Sequence, residues 1–305
     1  MTFEQLNYVI EVSKTGSINK AAVNLFVSQS SLSQAIQNLE KELGYEIFTR
    51  TRHGVVTTPC GKTFISYLIP IQLQLKQLQN ISAVQSSRPT VTFSLANDGF
   101  HQPSIICTEL FNKYRSIGIR LEQYDSYGNE ARDLVANSLA EIGVVRIWSC
   151  YKKMELRQFE TRDLVYHPIY EAELAISVGP HNPLFKSDLP FVTSDMLANY
   201  PMIQYSYLDS GPFSDIVSKL GLPANSSTAV TSSRTVIDEM LEHTDAYYLN
   251  SLWPDMRSHN DRIRTLPLHG TDIRSELGWI AKKGKPLSMI AAEFTGLLEQ
   301  RFREE

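Results

Sequence analysis

The chain has 305 residues, of which 42% are hydrophobic and 20% charged, with a formal net charge of −4. That length predicts two or three domains, and no run reaches the ~20 apolar residues of a membrane-spanning helix. The start "MTFEQLNYVIEV" lacks the basic opening of a cleavable leader, and three widely separated cysteines argue against a disulfide framework, so a cytoplasmic protein with no membrane partner is expected. Up to Gln85 there are seven Lys/Arg against five Glu and no Asp, whereas the remainder carries 22 Lys/Arg against 28 Asp/Glu. This asymmetry permits a nucleic-acid partner without requiring one.

The first segment reads as closely spaced helices. Thr2 with Gln5 fits a capping box, and Phe3, Leu6, Val9 and Ile10 follow helical spacing. Gly16 ends that helix, and Ser17 caps the next, "INKAAVNLF", where Ala21 and Ala22 are small enough to admit a neighbour. Ser28 caps a third helix that Gly44 closes. "EIFTRTRHGVVTT" then reads as a strand, a tight turn at Arg52, His53 and Gly54, and a second strand.

The third helix is unusual. From Ser28 to Leu39 it holds no charge. At 100° per residue, Leu32, Ile36, Leu39 and Leu43 share a stripe about 60° wide that faces a core. Ser30, Gln34, Gln37 and Lys41 lie opposite, flanked by Ser33 and Asn38. A solvated helix surface ordinarily carries Glu and Lys, which form helices better than serine does. A duplex major groove supplies a reason for the exchange, because base edges present donors and acceptors that Gln, Asn and Ser complement. Carboxylates near the helix start would repel phosphates, and none occurs before Glu40. Helix, short turn, helix and a hairpin bearing Arg50, Arg52 and His53 describe a winged helix-turn-helix.

"PCGKTFISYLIPIQLQLKQLQNISAVQSS" follows. Phe64, Leu68, Ile71, Leu75 and Leu78 recur at heptad spacing, with Pro70 expected to bend the helix or displace its start. Such a seam either packs on its own domain or seeks a partner, and the adjoining linker-like "SAVQSSRP" favours dimerisation. From Thr90 strands and helices alternate: "TVTFSLA", "PSIICTELFNKYR", "IRLEQYD", "NEARDLVANSL" and "EIGVVRI", then "AELAISVG", "YPMIQYS", "PFSDIVSKLG", "TAVTSS", "RTVIDEMLEH", "DAYYLN", "ELGWIAKKG" and "LSMIAAEFTGLLEQRF". This predicts α/β units with mostly parallel sheets, in two subdomains. Cys107, in the apolar "IICTELF", reads as a buried packing residue, and Cys150 as exposed.

The stretch "FEQLNYVIEVSKTGSINKAAVNLFVSQSSLSQAIQNLEKELGYEIFTRTRHGVVTTPCG" resembles the N-terminal region of the LysR-type bacterial transcriptional regulators. The likeness covers about sixty residues and runs through "GS", "AA..L..SQ..LS..I..LE..LG..IF.R" and "T..G". It implies an α/β protein with an N-terminal winged helix-turn-helix (1–58) and a long linker and dimerisation helix (59–88). A C-terminal effector domain (89–305) resembling periplasmic binding proteins would follow, with one subdomain from about 89–163 and 266–305 and the other from about 164–265. It further implies a homodimer or homotetramer on an interrupted palindromic operator in double-stranded DNA, modulated by a small-molecule effector. By position, the DNA-contacting set is Ser28, Gln29, Ser30, Ser33, Gln34, Gln37, Arg50, Arg52, His53 and Thr57. Ser30 stands where the family commonly has proline, and Gln34 where it commonly has arginine.

In the effector domain the resemblance points to Asn97, Asp98, Gly99 and Phe100 after the first strand, and to Ser126 and Tyr127, with Asp125, after the second. Arg146, Gln204, Tyr205, Ser232 and Ser233 complete the set. Loops beyond the carboxyl ends of parallel strands are where open α/β sheets bind ligands. Arg146 suits an anion and Asp98 and Asp125 oppose one, so the ligand's charge stays open, as does activation versus repression. Gly143 stands where the family commonly has aspartate, and "DAYYLN" replaces a strand that usually bears glycine and proline. No nucleotide-binding glycine loop, zinc-spaced Cys/His cluster or nucleophile-elbow motif is present, so neither an enzyme, a cofactor nor a metal site is expected.

Overall fold

A computed structural model describes residues 1–51, 54–68, 71, 91–126, 129–209, 213–223, 227–254 and 262–303. The chain forms two compact units, Met1–Arg88 and Pro89–Glu305.

In the first unit, α1 (Phe3–Thr15), α2 (Ile18–Asn24) and α3 (Gln29–Leu43) precede a hairpin of β1 (Phe48–Thr51) and β2 (Gly54–Thr57), followed by α4 (residues 59–68). Thr2 and Gln5 exchange side-chain and main-chain bonds as a capping box, while Gly16 and Gly44 end α1 and α3 in the left-handed conformation. Leu32, Ile36 and Leu39 of α3 pack with Leu6, Val9 and Ile10 of α1 and with Ala21 and Ala22 of α2. Burying such side chains supplies roughly 1.5–3 kcal/mol each. Helix α2 is shorter than its sequence suggested, because Phe26 turns to φ 56° and lies 96% exposed.

The hairpin is anchored at two points. Glu40 of α3 accepts the main-chain N–H groups of Ile47 (2.8 Å) and Phe48 (3.0 Å). The Val55 N–H donates to Gly16 O (2.9 Å), and a Cβ on Gly54 would come within 2.5 Å of that same oxygen, so only glycine fits there. In α4 the seam residues Phe64 and Leu68 pack into this unit's own core, whereas Ile71 is exposed. The described part of the seam therefore serves its own domain first. Pro70, Leu75, Leu78 and the remainder of the expected linker helix lie outside the described residues.

The second unit carries β3 (Val91–Asn97), α5 (His101–Tyr114), β4 (Ile119–Asp125), α6 (Asn129–Ala136), β5 (Ile142–Trp148), α7 (Lys152–Thr161) and β6 (Leu164–Val178). These are followed by β7 (Met202–Tyr205), α8 (Ser206–Asp209), α9 (Ile216–Lys219), β8 (Thr228–Thr231), α10 (Arg234–His243), β9 (Tyr247–Ser251), β10 (Arg264–Pro267), β11 (Arg274–Lys282) and α11 (Met289–Arg303). The strands run in the order β4-β3-β5-β11-β6-β9-β7-β8, with β10 also paired to β6.

The two halves share β6. Leu164–Glu173 of β6 pair with β11, and Leu174–Val178 pair with β9. Pairing is parallel on the flanks (β3 with β4 and β5, β7 with β8 and β9) and antiparallel around β11, β6 and β10, so the sheet is mixed and not mostly parallel. Chain segments that return across both halves produce the antiparallel centre. Gly143 of β5 faces Ile280 of β11, and a Cβ there would lie 2.8 Å from the Ile280 side chain and 3.0 Å from Val135. Close packing between β5, β11 and α6 thus leaves no room for an aspartate.

Candidate functional site

The first candidate surface is the outer face of α3. Ser28 caps the helix, its Oγ accepting the Ser31 N–H (3.1 Å) and lying 3.0 Å from Ser30 Oγ. Gln29, Ser30, Gln34 and Gln37 are exposed, Ser33 is half-buried, and Gln34 donates to Asn38 Oδ1 (3.0 Å) one turn along. Short local bonds of this kind orient the amides and hydroxyls without burying them. The main chain of Arg50 pairs with Val55 in the hairpin, and Thr57 is half-buried opposite Phe48. Arg52 and His53, at the tip, lie outside the described residues.

The second candidate is a cavity of about 350 Å³ in the second unit. Asn97, Gly99 and Phe100 after β3, Gln123 and Asp125 of β4, and Arg146 of β5 form one wall. Ser177 of β6, Asn250 of β9, Thr265 of β10, and Arg234 and Asp238 of α10 form the other, with Trp253 and Phe302 closing between. This is the size and position expected of a ligand cleft at strand ends.

Of the residues inferred from sequence, Asn97, Gly99, Phe100, Asp125 and Arg146 line the cavity together. Asp98 and Ser126 do not: both are buried behind it, where Asp98 Oδ2 accepts the Arg146 N–H (3.2 Å) and the Ser126 N–H donates to Asn97 O (3.0 Å). Gln204 and Tyr205 also fall outside it, because both sit in β7, buried between β8 and β9, with Tyr205 stacked against Tyr207. Ser232 and Ser233 precede α10, and it is the first turns of that helix, through Arg234 and Asp238, that reach the cavity wall. Tyr127 lies outside the described residues. The pair Arg234 and Asp238 carries a sequence signal, opposite charges at i,i+4 just after a capping serine. Trp253 and Phe302 carry none, since only the tertiary fold brings them to the same place.

Much of the lining is bonded to itself. Asn97 Nδ2 donates to Phe100 O (2.7 Å) while its Oδ1 accepts the Phe100 N–H (3.2 Å). Asn250 donates to Ser177 Oγ (3.0 Å), which lies 2.9 Å from Thr265 Oγ1, and Gln123 donates to Ser104 Oγ (2.8 Å). Arg234 pairs with Asp238 at 3.0 Å, and burial raises the Asp238 carboxyl against that pull. The Arg146 guanidinium sits among aromatic rings, 5.3 Å from Phe100, 5.6 Å from Trp148 and 5.7 Å from Trp253. Away from the cavity, Arg132 and Glu155 form an ion pair at 2.5 Å with both side chains 1% exposed, burial raising the Glu155 carboxyl more than Arg132 lowers it.

Comparison with known proteins gives the following likenesses. The family model described as a bacterial regulatory helix-turn-helix protein of the lysR family matches residues 3–62, and the one for the LysR substrate binding domain matches residues 106–303. The HTH-type transcriptional regulator CysB of Haemophilus influenzae is 29% identical over 217 residues, covering 68% of this chain and 62% of its own length. The regulator ClcR of Pseudomonas putida is 45% identical over 65 residues, 21% of this chain and 22% of ClcR. In three dimensions the chain is similar to the crystal structure of CbnR, a LysR family transcriptional regulator, with a TM-score of 0.55, 16% identity and 99% of each chain covered. That last likeness bears on the fold alone.

Proposed function

This chain belongs to the LysR family of bacterial regulatory helix-turn-helix proteins, and from that premise we propose a cytoplasmic, sequence-specific regulator of transcription, not an enzyme, whose hold on DNA is set by a small molecule in the second unit. The observation that carries the reading is the exposed outer face of α3, uncharged from the helix start as far as Leu39. Ser28, Gln29, Ser30, Ser33, Gln34 and Gln37 meet base edges and phosphates in a major groove, while Arg50, Arg52, His53 and Thr57 of the hairpin meet the backbone. A homodimer or homotetramer presents two such helices to an interrupted palindrome. The effector lies against Asn97, Gly99, Phe100 and Arg146 and the facing wall of Arg234, Asp238 and Asn250.

The test is fluorescence anisotropy of the full chain against duplexes drawn from its own genome. Arg50→Ala is expected to weaken binding to every duplex and to lower the salt slope by about 1, whereas Gln34→Ala costs roughly 1–3 kcal/mol at one base position only. Equal losses on all sequences for both variants would defeat this division of roles.

A further inference from the structure

The two arginines of the cavity differ in their surroundings. Arg234 is neutralised by Asp238 one turn further along α10. Among the described residues, the Arg146 guanidinium makes no hydrogen bond and has no carboxylate within ion-pair distance. Its contact with Asp98 runs through the main-chain N–H instead. Three ring faces surround the charge, and a ring face attracts a cation without supplying a counter-charge. The phenols of Tyr207 and Tyr248 act on Arg146 electrostatically, but burial raises both, so they stay protonated and neutral. The Asp98 carboxylate also acts on Arg146, although it makes no ion pair with the guanidinium. A guanidinium does not give up its proton in any accessible pH range, so the positive charge persists in a low-dielectric cage.

The other polar groups of the wall narrow the choice further. Asn97, Asn250, Ser177 and Gln123 are already bonded to neighbours. The two carboxylates of the lining have cationic or amide partners, Asp238 Oδ1 lying 3.0 Å from Arg234 Nε and Asp125 Oδ1 accepting from Gln123 Nε2 (3.3 Å). Two side-chain nitrogens of the lining, Arg146 Nε and Trp253 Nε1, are buried without an acceptor among the described residues.

We propose that the effector is a small organic acid, its carboxylate seated on Arg146 beside the Trp253 indole and its apolar body against Phe100 and Phe302. This rests on the reading of the second unit as the ligand-responsive part of a regulator. An ion pair formed in such surroundings is stronger than one in water, and it is available only to a ligand that brings a negative charge. The aromatic wall favours an organic acid over inorganic sulfate or phosphate, which share the oxyanion chemistry.

The full-length chain is titrated at constant ionic strength with a panel of carboxylates that begins with benzoate and succinate, and with benzamide, sodium sulfate and sodium phosphate. Tryptophan emission is followed, since Trp148 and Trp253 flank the guanidinium, together with the melting temperature. The expected result is a saturable response to at least one carboxylate, with its neutral amide and Arg146→Gln each weaker by on the order of thirtyfold. Arg146→Lys, which keeps the charge, recovers part of the affinity. No response to any carboxylate, equal binding of acid and amide, or saturation by sulfate or phosphate in place of the acids would each overturn the proposal. The acid and amide comparison on the unaltered chain decides the matter even where Arg146→Gln does not fold. Duplex binding is measured on the same samples: loss of duplex binding with acid binding intact overturns the regulatory reading alone, and the converse overturns the acid alone.

Discussion

Helix α3 and the cavity of the second unit both concentrate amides and hydroxyls, and they treat them in opposite ways. On α3, Gln29 and Gln37 make no side-chain hydrogen bond among the described residues, and their neighbours bond only locally, at the surface. In the second unit, Asn250 bonds Ser177 across strands, Asn97 bonds the Phe100 main chain and Gln123 bonds Ser104, and Arg132 and Glu155 pair out of contact with water. A polar group committed to the fold is unavailable to a partner, and one left uncommitted contributes little to stability. The contrast separates what holds this chain together from what it leaves exposed on α3.

The sharpest way to break that contrast is to remove one half of the buried pair. Glu155→Ala leaves Arg132 buried without its counter-charge and is expected to lower the unfolding free energy by about 3–5 kcal/mol in urea denaturation. Gln34→Ala, on the exposed face, is expected to change it by less than ~0.5 kcal/mol in the same measurement. If the two variants proved equally stable, the division between committed and uncommitted groups would fail.

A smaller effect tests the distinction within one helix. Glu40, on the inner side of α3, accepts two main-chain N–H groups from the start of the hairpin. Glu40→Ala should therefore cost about 1–3 kcal/mol, with Glu40→Gln restoring most of it. An unchanged unfolding midpoint for Glu40→Ala would show that the hairpin is seated without it.

The least disruptive probe uses the cysteines. Cys60 and Cys150 are exposed, whereas Cys107 is buried in the core between α5 and the sheet, where burial pushes its thiol up to about 12. Alkylation of the native chain near neutral pH should label Cys60 and Cys150 and reach Cys107 only after unfolding, which peptide mass mapping would resolve. The sign of the pH effect follows. Between about 9 and about 12 the unfolded thiol ionises while the folded one keeps its proton, so this group makes stability fall as pH rises through that window. Rapid native labelling of Cys107 would contradict the burial.

Much of the first unit was legible in the sequence because its determinants are local. Leu32, Ile36 and Leu39 repeat at helical spacing, and Thr2, Gly16, Ser28 and Gly44 mark the helix ends on which they are found. What Glu40 does was not legible, since a charge at the end of a polar face reads as solvated until the hairpin is folded back onto it. Helix α7 escaped for a related reason: its buried side includes Glu155, so apolar periodicity is interrupted at the very position that is most enclosed. Strand β10 has only four residues and opens with an arginine, too short for alternation to register. In the cavity, Arg146 lies in a strand with a clear pattern, but Trp253 and Phe302 reach it from segments far apart in the chain, and no spacing rule connects them.

The position of β11 has a consequence for biosynthesis. It lies between β5 and β6, pairing with both, although it is translated after both. While residues 274–282 remain inside the ribosome, the nascent second unit has two open strand edges facing a gap one strand wide, a template for pairing with another chain. Closure of its sheet must await β11, near the end of the described residues, so the emerging polypeptide is most open to intermolecular strand pairing until that stretch is added.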